Sequence, residues 1–188
     1  TVAEDITGLA AVSGSVATTA TATTNVGSVA ITQGTVTNAN NTNYDITFTE
    51  GTLTIGTKAL TITADDKSKT YGEANPALTF TVAEDITGLA AVSGSVATTA
   101  TATTNVGSVA ITQGTVTNAN NTNYDITFTN GTLTIGTKTL TATASASNKV
   151  YDGTTTASVT LTFTGLVGSE TLGQSVGATF ADQNVDTG

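Results

Sequence analysis

Apolar and threonine positions alternate strictly along residues 124–135, YDITFTNGTLTI, and the string returns with one change at 44–55 as YDITFTEGTLTI. Side chains two apart share one face of a strand, so the alternation predicts two short, half-buried strands. Asn130-Gly131 between them is the pair that a two-residue type I′ turn favours, which predicts a hairpin. Its register would set Thr129 against Thr132, Phe128 against Leu133, Thr127 against Thr134 and Ile126 against Ile135, giving one apolar face and one threonine face. A slip of one residue would bring hydroxyls inward to be desolvated, so the pattern itself holds the register.

The same rule predicts further strands. Residues 59–64, ALTITA, set Leu60, Ile62 and Ala64 against Thr61 and Thr63. Asp65-Asp66-Lys67 to Gly72 then reads as a surface passage, because charge and glycine interrupt the pattern. Residues 78–82 form a second strand after Pro76, a weaker one lies within 96–104, and another within 106–116 is interrupted at Gln113-Gly114. The asparagine-rich 118–123 reads as a surface turn, and 139–144 begins the strand pattern again.

Residues 1–49 recur letter for letter as 81–129, and 51–58 as 131–138, with Glu50 against Asn130 the one difference in that span. An offset of 80 residues is too long for a solenoid coil and suits a small module with its own core. The expected organisation is a partial repeat over 1–58, a complete one over 59–138 and a diverged partial one over 139–188. Gly56-Thr57-Lys58 and Gly136-Thr137-Lys138 connect them, too short to swivel freely. The fold class expected is all-β, with small sandwich-like modules in an extended array and a β-grasp-like arrangement as the alternative within each.

Composition removes whole classes of chemistry. The chain has no Cys, His, Trp, Met or Arg, so it lacks thiol and imidazole nucleophiles, the commonest metal ligand and the bidentate phosphate clamp. An enzyme is not expected, and no cofactor. About a quarter of the residues are threonine, which suits pleated strands. A formal charge of −9 and a pI near 4.1 argue against nucleic acid as a partner. No apolar run reaches the roughly twenty residues of a membrane span, so no membrane insertion is expected, and a secretion signal would lie outside this segment.

The core Lys69-x-Tyr71-Gly72-Glu73-x-Asn75-Pro76-x-Leu78 resembles the MBG domain of the YGX type. Lys149-Val150-Tyr151-Asp152-Gly153-Thr154-Thr155, with its tyrosine 80 residues after Tyr71, resembles the YDG domain. The resemblance covers the whole chain and implies tandem modules of large, repetitive bacterial surface adhesins and haemagglutinin-like proteins, with no catalytic residue. A physical role for the motif follows from its residue types. Each tyrosine would cover the end of a small core and reach a backbone carbonyl, while Gly72 and Gly153 take a positive φ.

Asp65, Asp66, Glu84, Asp85 and Asp125 are the weak Ca²⁺ candidates. None has EF-hand or nonapeptide spacing, so solvated turns are the expected reading and no metal site is assigned. A Lys–Asn isopeptide would need a buried lysine, whereas lysines here flank loops. The Thr99 to Thr103 alternation resembles one ice-binding rung, but rungs must stack at a coil's short period. The expected function is therefore a stalk or spacer of an extracellular, cell-surface or secreted bacterial adhesin supporting attachment and biofilm formation. The alternatives are a filament subunit or a glycan-binding repeat. Partners would be neighbouring modules, other copies in a fibre, or extracellular polysaccharide. Because 184–188 matches the Asn25-Val26-Gly27 corner, the tail would compete with the head for the same places in a strand-donated fibre; a window on a longer polypeptide is expected instead.

Overall fold

The structure, a computed structural model, describes residues 11–173 and 176–181; the 184–188 corner lies outside them. The fold is all-β. The first module contributes β1 (Ala17–Thr18), β2 (Gly27–Thr32) and β3 (Gly51–Ile55). β4 (Lys58–Ala64) begins on the last residue of that module and continues into the second, which also contributes β5 (Lys67–Thr70), β6 (Phe80–Val82), β7 (Ala97–Thr98), β8 (Gly107–Thr112), β9 (Tyr124–Thr129) and β10 (Gly131–Gly136). The third contributes β11 (Thr141–Ala146), β12 (Thr156–Ala157), β13 (Val159–Thr164) and β14 (Ala178–Thr179). Single 3-10 turns occupy Asn38–Asn40 and Asn118–Asn120, and no helix among the described residues is long and apolar enough to cross a membrane.

The chain divides into two compact units: Thr1–Asp65, Leu78–Ala97 and Ile111–Gly131 in one, and Asp66–Ala77, Thr98–Ala110 and Thr132–Gly188 in the other. In the first, β4 is the central strand of a sheet ordered β6-β4-β9. It runs parallel to β9, with Leu60 opposite Ile126 and Ile62 opposite Phe128, and antiparallel to β6, with Ile62 opposite Val82. Leu60, Ile62 and Ala64 are buried while Thr61 and Thr63 are exposed, the pattern that alternation requires of a strand with one apolar face. This unit also holds the antiparallel sheet β1-β2-β3.

The second unit carries the sheet β5-β10-β8-β7, of which β7 and β8 each run on into the first unit, and the antiparallel pairs β11-β13 and β12-β14. β5 is a strand where a surface passage was expected, and it pairs in parallel with β10, Leu133 lying opposite Lys67 and Ile135 opposite Lys69. Its presence changes the fate of identical residues. Leu133, beside β5, is 0% exposed, whereas its copy Leu53, on the outer strand of β1-β2-β3, is 37% exposed.

The hairpin expected at Asn130-Gly131 does not form. β9 and β10 belong to different sheets, each paired in parallel with a strand of the β4–β5 segment. β4 ends at Ala64 before β5 begins at Lys67, and β9 ends at Thr129 before β10 begins at Gly131, so each segment passes from one sheet to another there. No non-glycine residue described has a positive φ, and Gly131 is not among the positive-φ glycines, so neither residue has type I′ geometry. Gly131 is required for a different reason: a Cβ there would lie 2.5 Å from the Ala64 carbonyl oxygen. The Thr132 amide donates to Asp66 Oδ1 at 2.7 Å, holding the crossing.

The asparagine tract is also more than a surface turn. Asn121 is buried; it accepts from the Ser93 amide at 2.7 Å and donates to the Ser93 and Thr117 carbonyls at 3.0 and 2.9 Å. Asn41 makes the same bonds with Ser13 and Thr37 in the first module. Asn118 Oδ1 takes the Ile126 amide at 2.8 Å. Side-chain amides thus satisfy backbone groups that have no strand partner.

Candidate functional site

Two corners 80 residues apart are built alike, each closed by a lysine two positions before its tyrosine. Lys69, 8% exposed on β5, donates to the Glu73 carbonyl at 3.2 Å, Asn75 Oδ1 at 2.8 Å and the Thr101 carbonyl at 2.5 Å. Asn75 Nδ2 in turn donates to the Ala100 carbonyl at 2.6 Å, and the Gly72 amide to that of Ala102 at 2.9 Å. A buried ammonium needs three acceptors, and the turn of the chain converges them on it. Lys69 therefore is a buried lysine meeting an asparagine, contrary to the expectation that lysines only flank loops. The motif's own carboxylate, Glu73, accepts the Thr70 amide at 3.0 Å. Pro76 follows the corner, half-buried.

In the second corner, Lys149 donates to the Thr154 and Thr156 carbonyls at 3.1 and 2.8 Å and to Thr154 Oγ1 at 2.6 Å, and pairs with Asp152 at 2.8 Å. That bond, with those from the Thr154 amide and hydroxyl, lowers the Asp152 carboxyl from 3.8 to about 2. The Lys149 ammonium also stands 5.9 Å from the Phe180 ring centroid.

The glycines behave as the motif predicts, with φ of +90° at Gly72 and +72° at Gly153. The tyrosines do not. Tyr71 is half-buried and its hydroxyl donates to Glu170, a carboxylate rather than a backbone carbonyl; this bond, followed by burial and charge, raises its pKa above the ordinary value. Tyr151 is 65% exposed and covers no core. The arrangement assigned to them belongs instead to Tyr124, which is buried and donates its hydroxyl to the Ala90 carbonyl. Its signal was present in the sequence: Tyr124 opens the apolar face of the alternation in β9.

Each of the five acidic candidates accepts a hydrogen bond from the chain's own groups. Asp65 accepts the Thr79 and Thr81 hydroxyls, Asp66 the Thr132 amide, and Asp125 the Asn118 side chain at 3.2 Å. Glu84 accepts the Thr61 amide at 2.6 Å, the bond that leads the lowering of its pKa, and Asp85 accepts the Thr87 amide at 2.8 Å, its pKa being lowered first by the Thr87 side chain and then by that amide. Among the described residues no three such groups converge on a metal-sized space. The Thr99–Thr103 segment is no flat rung either: Ala100 is buried, and the Thr104 amide closes a turn on the Thr101 carbonyl at 3.2 Å.

A further polar cluster joins the first two modules, and no motif announced it. Asn123 Nδ2 donates to Asn25 Oδ1 at 2.8 Å, its Oδ1 accepts the Val26 amide at 3.0 Å, and its carbonyl accepts the Lys58 amide at 3.0 Å. One asparagine thus grips both the preceding module's corner and the connector. A cleft of about 230 Å³ lies beside it, lined by Val26, Ile55, Lys58, Leu89, Ala90 and Tyr124 among others.

Comparison with known proteins agrees with the motifs. The family model of the MBG domain (YGX type) matches residues 2–54 and 60–134, and that of the YDG domain matches 136–188. No curated protein and no solved structure matches the chain. With more than half its length matched in two consecutive segments, and the Lys-x-Tyr-Gly corner formed in space, the chain belongs to the MBG domain (YGX type) family, followed by a YDG domain.

Proposed function

We propose that this chain is a spacer segment in the stalk of a bacterial cell-surface or secreted adhesin. Its modules set the distance between an adhesive region and the cell and so support attachment. The observation that carries the reading is near-identity of successive modules at an 80-residue offset, joined through the Asn123 bonds to Asn25 and Val26. Repetition of one unit alters length and leaves surface chemistry the same. Threonine faces keep such an array soluble with little charge, and an acidic surface repels its own copies. The test displays an adhesive tip on one, two or three 80-residue repeats. Capture of a tethered ligand should extend to greater separations with each repeat, while the chain without a tip binds no glycan. Capture independent of repeat number would refute the spacer.

A second reading rests on exposed aromatics at the third module. Tyr151 and Phe180 flank the Lys149–Asp152 corner and stand open to solvent, as a sugar-stacking surface would. Glycan-array binding by the chain that disappears in Tyr151→Ala would favour a glycan-binding module over a spacer.

A further inference from the structure

The loop after β13 ends in a tight turn, Val167-Gly168-Ser169-Glu170. The Glu170 amide donates to the Val167 carbonyl at 3.2 Å, Glu170 Oε2 accepts the Val167 amide at 3.2 Å, and Gly168 has φ +60°. The other carboxylate oxygen, Oε1, accepts the Tyr71 hydroxyl. Beside it, a Cβ added to Gly72 would fall 2.5 Å from Val167 Cγ2 and 3.3 Å from Cγ1, so the valine occupies the space that any larger residue would need. Two consecutive residues of the Tyr-Gly corner are therefore matched by one turn of the next module, one through a charge-assisted hydrogen bond and the other through packing.

The corner needs neither contact for its own closure. The Tyr71 amide donates to the Gly136 carbonyl and the Gly72 amide to that of Ala102, both at 2.9 Å, while Lys69 holds the remaining carbonyls. A left-handed corner does not by itself call for a neighbour: Gly153 has φ +72° with nothing within 4 Å of its Cβ position. The phenol and the missing side chain thus have their use outside residues 59–138.

We propose that Tyr71 and Gly72 form a docking seat for the following module of the same chain, filled by a Val-Gly-x-Glu turn whose carboxylate takes the phenol. The Tyr-Gly signature then serves assembly between modules, and Lys69 serves the fold of its own. Glycine at 72 admits the valine, and tyrosine at 71 gives the seat a polar reading that phenylalanine would not.

The test uses the whole chain, which contains no cysteine, with spin labels at Ser68→Cys and Thr160→Cys, both exposed. Electron–electron distance measurements should give a single narrow distance. Tyr71→Phe and Glu170→Gln should each lose it to a broad distribution, with the double variant no broader than either, because one bond is removed in all three. Gly72→Ala should also broaden it, and adding Val167→Ala should restore the narrow distance. Gly153→Ala, which carries a similar φ penalty without the clash, should leave it unchanged. A distance that stays narrow in Tyr71→Phe, or a Gly72→Ala effect that Val167→Ala does not relieve, would overturn the seat. Glycan binding by the chain would sink the spacer reading while leaving these distances as they are.

Discussion

A lysine folded back on its own turn gives up hydration and side-chain freedom, so it is retained where carbonyls converge on the ammonium. Lys69 meets that condition among neutral oxygens, and Lys69→Met should destabilise the protein by about 1–3 kcal/mol by leaving the Thr101 and Glu73 carbonyls unpaired. Thermal unfolding checks this, and an unchanged midpoint would show that the carbonyls find water instead. Lys149 meets the condition with a carboxylate added, and pH then enters. Because the folded state lowers Asp152 from 3.8 to about 2, its contribution to stability is complete above 3.8 and disappears as pH falls towards 2. Carbon-detected NMR should place the Asp152 titration near 2, and Lys149→Met should return it towards 3.8. A parent value already at 3.8 would contradict the bridge. Motif spacing made both corners visible in the sequence. It did not give the direction of each lysine, since a flexible four-carbon stem can reach water or carbonyls equally well.

At the scale of strands, alternation fixed which residues share a face and left open which strand lies alongside. Leu60, Ile62, Leu133 and Ile135 are buried as their pattern required, yet β9 and β10 do not pair with each other. An Asn-Gly between two alternating runs fits a hairpin, and equally a strand passing from one sheet to the next. Parallel pairing of segments some 65 residues apart leaves no local signature to decide between them. The two geometries make opposite predictions for substitution. Asn130→Glu should change stability by less than about 0.5 kcal/mol, since no positive φ is needed there. Gly131→Ala should cost about 1–3 kcal/mol, because its Cβ would meet the Ala64 carbonyl at 2.5 Å. Gly51→Ala, at the same place in the first repeat, would meet only the Ile31 side chain at 3.5 Å and should be close to neutral. Denaturant melts of the three variants separate the cases: equal costs at 51 and 131 would point back to a shared turn geometry.

For the whole molecule, near-identity of repeats supplies its own controls. Every buried hydrophobic residue among those described falls between Leu60 and Ile135, so residues 59–138 should melt cooperatively when expressed alone, whereas 1–58 should not. A cooperative transition in the shorter fragment would refute that division of the core. What joins the modules is a separate matter, and the sequence hid it, because an asparagine that grips a neighbour reads the same as one that caps its own turn. Asn123 is half-buried on Asn25 and Val26; Asn43, the identical residue of the first repeat, is exposed. Alanine at either position removes the same local amide, and only at 123 does it also release the preceding corner. With spin labels at Thr54→Cys and Thr127→Cys, one on β3 and one on β9, Asn123→Ala should replace a narrow distance by a broad one while Asn43→Ala leaves it narrow. If both variants leave the distance sharp, the connector alone sets the angle between modules, and the asparagine bonds only follow it.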